Sequence, residues 1–179
     1  MNIFYLHNNP VICARQHCDK HVVKMILEYA QILSTTHRVC DGTQTIEISN
    51  GRKIKRWTLN DDRNNVLYKA THINHPSTLW ARSSNKNYQW LFSLWVQLLK
   101  EYYYRYGKCH KSFSLINHLK NSPHYISDKY FTEPTPAMPE KYKQESSSES
   151  YRQYYIHEKN RFASWKNREV PSRSEEHTS

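Results

Sequence analysis

The residues best equipped for chemistry fall in two short stretches. One is HCDKHVVK, which gathers His17, Asp19, Lys20, His21 and Lys24. The other is THINHP, with Thr71, His72, Asn74 and His75 ahead of Pro76. Three chemistries suit them. A lysine amine whose pKa is lowered by nearby cations can attack C1′ of a damaged nucleotide and form a Schiff base. Lys20, Lys24 and His21 share a helical face for that purpose, and Asp19 or Glu28 would move the proton. His17 and His21, four positions apart, can instead share a metal that His72 or His75 completes, but this spacing arises easily by chance in a chain with 11 His. In the third case the same groups only contact phosphates. The amine chemistry leads, with Lys20, Lys24, Asp19 and His21 as the catalytic set. His17, Thr71, His72, Asn74 and His75 then contact substrate, and neither a metal nor another cofactor is expected. The chain has no Walker loop, GxGxxG, HExxH or Cys zinc pair.

The first stretch belongs to the most apolar helical pattern in the chain, residues 9–39. Asn9 and Pro10 suit its start, and Gly42 suits its end. Val11, Cys18, Val22, Met25, Ile26, Tyr29 and Leu33 share one side, which predicts a central helix on which the others pack. His17, Lys20, His21, Lys24 and Glu28 form a narrow polar strip. Arg15 and Asp19 interrupt the apolar arc, so they must pair with each other or with a third group.

The remaining elements read in order. Residues 1–6 form a strand or buried extended segment. Residues 45–49 and 52–57 flank Asn50-Gly51, the signature of a type I′ hairpin. Its return strand carries Arg52, Lys53, Lys55 and Arg56, a basic patch for a phosphate backbone. Residues 61–70 fit a short helix, and the polar loop 71–76 is expected to face the strip on the first helix. Ser83 or Ser84 caps a second long helix through Tyr106, closed by Gly107, with Glu101 and Arg105 as an i, i+4 pair. Ser112 caps a short helix through Leu119. Residues 134–142 form an ordered arm, residues 145–149 a mobile tip, and residues 151–165 a final helix. That helix packs through Tyr151, Tyr155, Phe162 and Trp165, with Lys159 and Lys166 among the cations around them.

Composition narrows the class. The 179 residues carry 14 Tyr and 5 Trp but only 3 Gly, which argues against a turn-rich all-β chain and against Gly-rich phosphate loops. Lys and Arg exceed Asp and Glu by 26 − 16 = 10, a balance that favours a polyanionic partner, most simply nucleic acid. Four cysteines without zinc or disulfide spacing fit a reducing cytoplasm. No apolar run is long enough to span a membrane, so no membrane partner is expected. Residues 173–179, RSEEHTS, read as a translated sequencing adapter. Residues 1–171 are therefore expected to form one domain, and residues 172–179 a non-native tail.

Ala14-Arg15-Gln16-His17, Pro76, the run EYYYRYG from Glu101 to Gly107, and the aromatic, basic stretch around Trp165 and Pro171 carry a resemblance. The chain resembles small helical proteins of tailed-phage genomes and, more distantly, the phage pyrimidine-dimer DNA glycosylases of the endonuclease V type. The resemblance covers most of the chain except the hairpin. It implies a compact all-α fold with DNA glycosylase and abasic-site lyase activity. It also implies an N-terminal α-amine as nucleophile, which here would be that of Met1 because Asn2 follows. The family's glutamate on the first helix has no counterpart, since Val23 and Lys24 stand there and Glu28 lies a turn later. The expectation is a mainly α protein with a hairpin insertion that acts on DNA as a glycosylase/lyase. A non-catalytic nucleic-acid-binding protein and a His-dependent metal hydrolase are the alternatives.

Overall fold

The computed structural model describes residues 1–159 and 161–171, so the expected non-native tail lies outside the described residues. Ile3, Phe4, Tyr5 and Leu6 form a buried extended segment. Asn9 caps α1 (Pro10–Gln16), its side chain accepting the Val11 N–H. Then come α2 (Asp19–Asp41), β1 (Thr43–Ser49), β2 (Arg52–Thr58), α3 (Arg63–Val66), α4 (Pro76–Arg82) and α5 (Asn85–Tyr106). A 3-10 turn, Lys111–Leu115, runs into α6 (Ile116–Leu119), and α7 (Ser147–Tyr154) ends in one π turn, Tyr155–Lys159. The fold is mainly α with a two-stranded antiparallel hairpin, as the periodicities predict. Among the described residues no helix is long and apolar enough to cross a membrane.

The expected first helix is two helices. His17 and Cys18 are extended, with ψ of 129° and 160°, and separate α1 from α2. Neither is proline or glycine; the cause lies far away in sequence. Arg105, on α5, donates to the carbonyls of His17 at 2.8 Å and Arg15 at 2.9 Å, and Trp165 Nε1 donates to that of Gln16 at 2.9 Å. These bonds satisfy the end of α1, where carbonyls would otherwise be orphaned. The Asp19 N–H in turn donates to the Ser164 carbonyl at 2.7 Å.

The break also settles the partner of Asp19. Arg15 is exposed, and Asp19 pairs instead with Arg105 at 3.0 Å. Asp19 accepts further bonds from the Ser164 hydroxyl and the Lys166 N–H. Arg105 also holds Glu101 at 2.8 Å, the expected i, i+4 pair, and Glu101 binds Arg168 at 2.5 Å. The network fastens the C-terminal segment to the joint between α1 and α2.

Helix α5 packs on α1, α2 and α4, so it shares the central position expected of the first helix. Tyr88, Leu91, Leu94, Trp95 and Leu98 form its buried stripe, and Trp95 Nε1 donates to the Ile26 carbonyl at 3.0 Å. Ser84 caps it, and Gly107 closes it at φ 64°.

The hairpin is where the turn chemistry puts it, with Asn50 at φ 50° and Gly51 at φ 75°. Buried Arg38 ties its base to the segment that follows. It donates to the carbonyls of Trp57, Asn64, Leu67 and Tyr68 and to Asn64 Oδ1. That anchoring leaves a helix of only four residues, α3, within the expected 61–70.

Three other expectations change. His110, not Ser112, caps the turn at 111–115. Residues 145–149 include the start of α7, capped by Ser146, and so are ordered helix and not a loose tip. The helical pattern of 151–165 begins earlier and ends at Lys159, with turns beyond, because Ser164, Trp165 and Lys166 bind the α1–α2 joint.

Candidate nucleic-acid interface

His17 leaves the polar strip and lies in the core, fully buried. Its Nδ1 donates to the Cys13 carbonyl at 2.7 Å, which makes Nε2 the acceptor of the Tyr29 hydroxyl at 2.9 Å. The Phe4 N–H completes the chain by donating to Tyr29. Burial pushes the His17 pKa down to about 4. With both ring nitrogens engaged, His17 is a tie between the N-terminal segment and α2, and not a substrate contact or half of a metal pair.

His21 sits one layer closer to the surface. Its ring stacks on Phe4 at 4.1 Å, and its Nδ1 accepts the Tyr155 hydroxyl at 2.5 Å. Burial is the main reason its pKa falls to about 3, and the charges of His17, Lys159, Lys24 and Lys20 push the same way. A histidine held neutral this firmly is a poor proton carrier near neutrality. Asp19 is likewise consumed by Arg105, Ser164 and Lys166. Of the expected acid–base partners of Lys20 and Lys24, His21 and Asp19 are therefore structural, and Glu28 stands beside Lys24.

The loop at 71–76 does touch α2, but at its far end. The Thr71 N–H donates to Thr35 Oγ1 at 3.2 Å. Thr35 lies 14 residues beyond His21, or about 21 Å along the helix axis. The two chemical stretches are thus separate surfaces, a correction to the expected constellation. Within the loop, His72 adopts φ 50° and bonds Thr71 Oγ1, and Asn74 is exposed. His75 caps α4 by accepting the Ser77 N–H. Its pKa is lowered first by burial, then by the Met1 ammonium and His72, and the Met1 thioether meets the Thr78 hydroxyl of α4 at 3.9 Å. Among the described residues no group of three or more His, Cys, Asp or Glu is arranged to hold a metal ion.

Lys20 and Lys24 are exposed, and Lys24 stands 3.9 Å from Glu28. They gain company that sequence spacing did not assign to the site. Lys20 Nζ lies 4.6 Å over the Phe162 ring, and Lys159 reaches both Phe162 at 5.9 Å and Tyr154 at 4.8 Å. Beyond them Lys166 covers Tyr106 at 5.0 Å and Arg168 covers Tyr104 at 4.0 Å. Helix α2 supplies the first two lysines, and the segment strapped over it by Asp19 and Arg105 supplies the rest. The result is a cluster in which Lys20 and Lys159 flank Phe162 and Tyr154, with two further cation–ring pairs, Lys166 with Tyr106 and Arg168 with Tyr104.

No family model, curated protein or solved structure matches the chain.

The only early trace of this cluster was the basic, aromatic composition of 151–168. Read as a continuous helix, that stretch gave Phe162 a packing role and Lys159 a place among the cations around it; read in place, Phe162 lies under both Lys20 and Lys159. On the hairpin the four cations divide. Arg56 bends back to Glu47 at 3.2 Å and to the Ala70 carbonyl at 3.0 Å, whereas Arg52, Lys53 and Lys55 stay exposed.

Proposed function

We propose that this protein acts on DNA in the cytoplasm and grips it through Lys20, Lys24, Lys159 and Lys166. The observation that carries the reading is the pairing of Lys20, Lys159 and Lys166 with the rings of Phe162, Tyr154 and Tyr106. Ammonium groups neutralise phosphates, and aromatic faces accept stacked bases without regard to sequence. The formal net charge of +10 favours the same partner. Fluorescence anisotropy against salt tests it. Affinity for a labelled oligonucleotide should fall linearly with salt on a log–log plot. The Lys20→Ala/Lys159→Ala double variant should lower that slope by about 2. No binding at about 50 mM salt, where such contacts are strong, would refute the reading.

A second reading adds catalysis: DNA glycosylase and abasic-site lyase activity, as the resemblance implies. One placement favours it: the Met1 thioether meets the Thr78 hydroxyl at 3.9 Å, on the helix that His75 caps. An amine beside a neutral imidazole has a partner for the proton transfers of Schiff-base chemistry. Borohydride trapping on an abasic duplex, beside a UV-irradiated one, decides between the readings. A trapped band that survives Lys20→Ala and Lys24→Ala but disappears when the α-amine is acetylated assigns the amine to Met1, and a band lost in a lysine variant that still shifts the duplex on a native gel assigns it to that lysine. A native-gel shift without a band leaves the protein a binder.

A further inference from the structure

The hairpin is exposed along most of its length. Side chains alternate between its two faces, and cross-strand partners share a face. The register pairs Ile48 with Lys53 and Ile46 with Lys55. These four residues, with Gln44, therefore lie on one face. The opposite face carries Thr45, Glu47, Arg56 and Thr58, which line a cleft of about 460 Å³ against Asn64 and Lys69. The fold thus sorts the hairpin's charges. Its single carboxylate, Glu47, turns inward to Arg56 and Lys69. The outward face keeps two lysines and no acid.

That outward face also exposes Ile46 to 64% and Ile48 to 72%. Two β-branched side chains in water, each opposite a lysine, are not explained by packing, because none of the described residues covers them. Lysine beside an apolar rung at a sheet edge discourages strand pairing with another copy. The same pattern suits a groove with phosphate walls and an apolar floor.

We propose that the outward face of the β1–β2 hairpin docks in the major groove of duplex DNA. This rests on the nucleic-acid reading above and adds the form of the substrate. The major groove is about 12 Å wide and admits a two-stranded ribbon. Strands of 7 residues each reach about 20 Å, enough to follow the groove for several base pairs. Lys53 and Lys55 meet phosphates or guanine edges. Ile46 and Ile48 lie against the groove floor, where thymine methyl groups supply the apolar contact, and Gln44 offers a hydrogen-bonding amide. The anchored base, gripped by Arg38, holds the ribbon upright on the body. The face of Lys20 and Lys159 binds backbone or unstacked bases; the hairpin selects duplex.

The test uses the full chain with one labelled duplex and the matching single strand. Two variants carry it, Lys53→Ala/Lys55→Ala and Ile46→Thr/Ile48→Thr. Both change only exposed positions, and unchanged melting curves check the fold. The lysine variant should bind duplex on the order of tenfold more weakly, with a salt slope smaller by about 2, and bind the single strand as before. Dimethyl sulfate footprinting should show guanine N7, a major-groove atom, protected by the parent protein and exposed with either variant. Duplex binding without N7 protection overturns the proposal while leaving the nucleic-acid reading intact. So does equal duplex affinity in parent and lysine variant. A parent that is a dimer by light scattering, with a monomeric isoleucine variant, overturns it in favour of a second copy of the chain. Failure of the parent to bind either nucleic acid overturns both readings.

Discussion

Arg105 shows how much a single side chain can organise. Its guanidinium is fully buried and meets two carboxylates and two helix-end carbonyls. Arginine fits because its planar fork offers five donors in fixed directions, which a lysine ammonium cannot reproduce. Arg105→Ala leaves Glu101 and Asp19 short of a partner and two carbonyls orphaned. Urea unfolding should show a loss of about 3–5 kcal/mol, with Arg105→Lys recovering only part of it. A loss under about 1 kcal/mol for either variant would count against this account. The buried histidines set the acid limit. His17 and His37 titrate at about 4 in the folded chain against an ordinary 6.5, mainly because burial disfavours their charged forms. The unfolded chain takes up these protons first, so the stabilisation is complete above pH 6.5. It is lost as pH falls from about 6.5 to 4, by on the order of 3 kcal/mol for each histidine. Stability measured between pH 7 and 4.5 should therefore decline steadily, and a flat profile would contradict the assignment. His37 fits the same picture structurally, donating from Nε2 to Tyr88 and accepting Arg63 at Nδ1.

The elements were legible in proportion to how local their causes are. The Asn9-Pro10 start, the Ser84 cap, Gly107 and the Asn50-Gly51 turn each act within a few residues, and each stands where the pattern puts it. Gly42 closes α2 as expected, though not for the expected reason. Its φ is −92°, which any residue adopts. What requires glycine is crowding, since a Cβ there would stand 2.4 Å from the Arg38 carbonyl oxygen and 3.0 Å from that of Thr58. Gly42→Ala should cost about 1–3 kcal/mol by forcing helix and hairpin apart, measured as a lower melting temperature. An unchanged melt would mean the joint relaxes freely. The break at His17–Cys18 was invisible for the opposite reason. Its agents are Arg105 and Trp165, and no window along the first helix contains them. The candidate site suffered most from this. One unseen break moved His17 from the surface strip to the core and turned Asp19 toward Arg105, while the end of the last helix at Lys159 brought Phe162 over Lys20.

At the scale of the whole molecule, the ends of the chain hold its middle together. Arg152 donates to the Leu6 carbonyl across 146 positions, and Ser164 reaches Asp19 across 145. Phe4 meets Tyr151 and Tyr155 edge-on in the same core. This closure has a consequence for synthesis. On the ribosome, residues 1–6 and the α1–α2 joint meet Tyr29, Trp90 and Arg105 first, but lack Arg152, Ser164 and Trp165 until those residues have cleared the exit tunnel. Contacts of such separation form late and slow folding. The nascent chain therefore carries an only partly covered apolar N-terminal segment until residues 152–166 emerge and lock it.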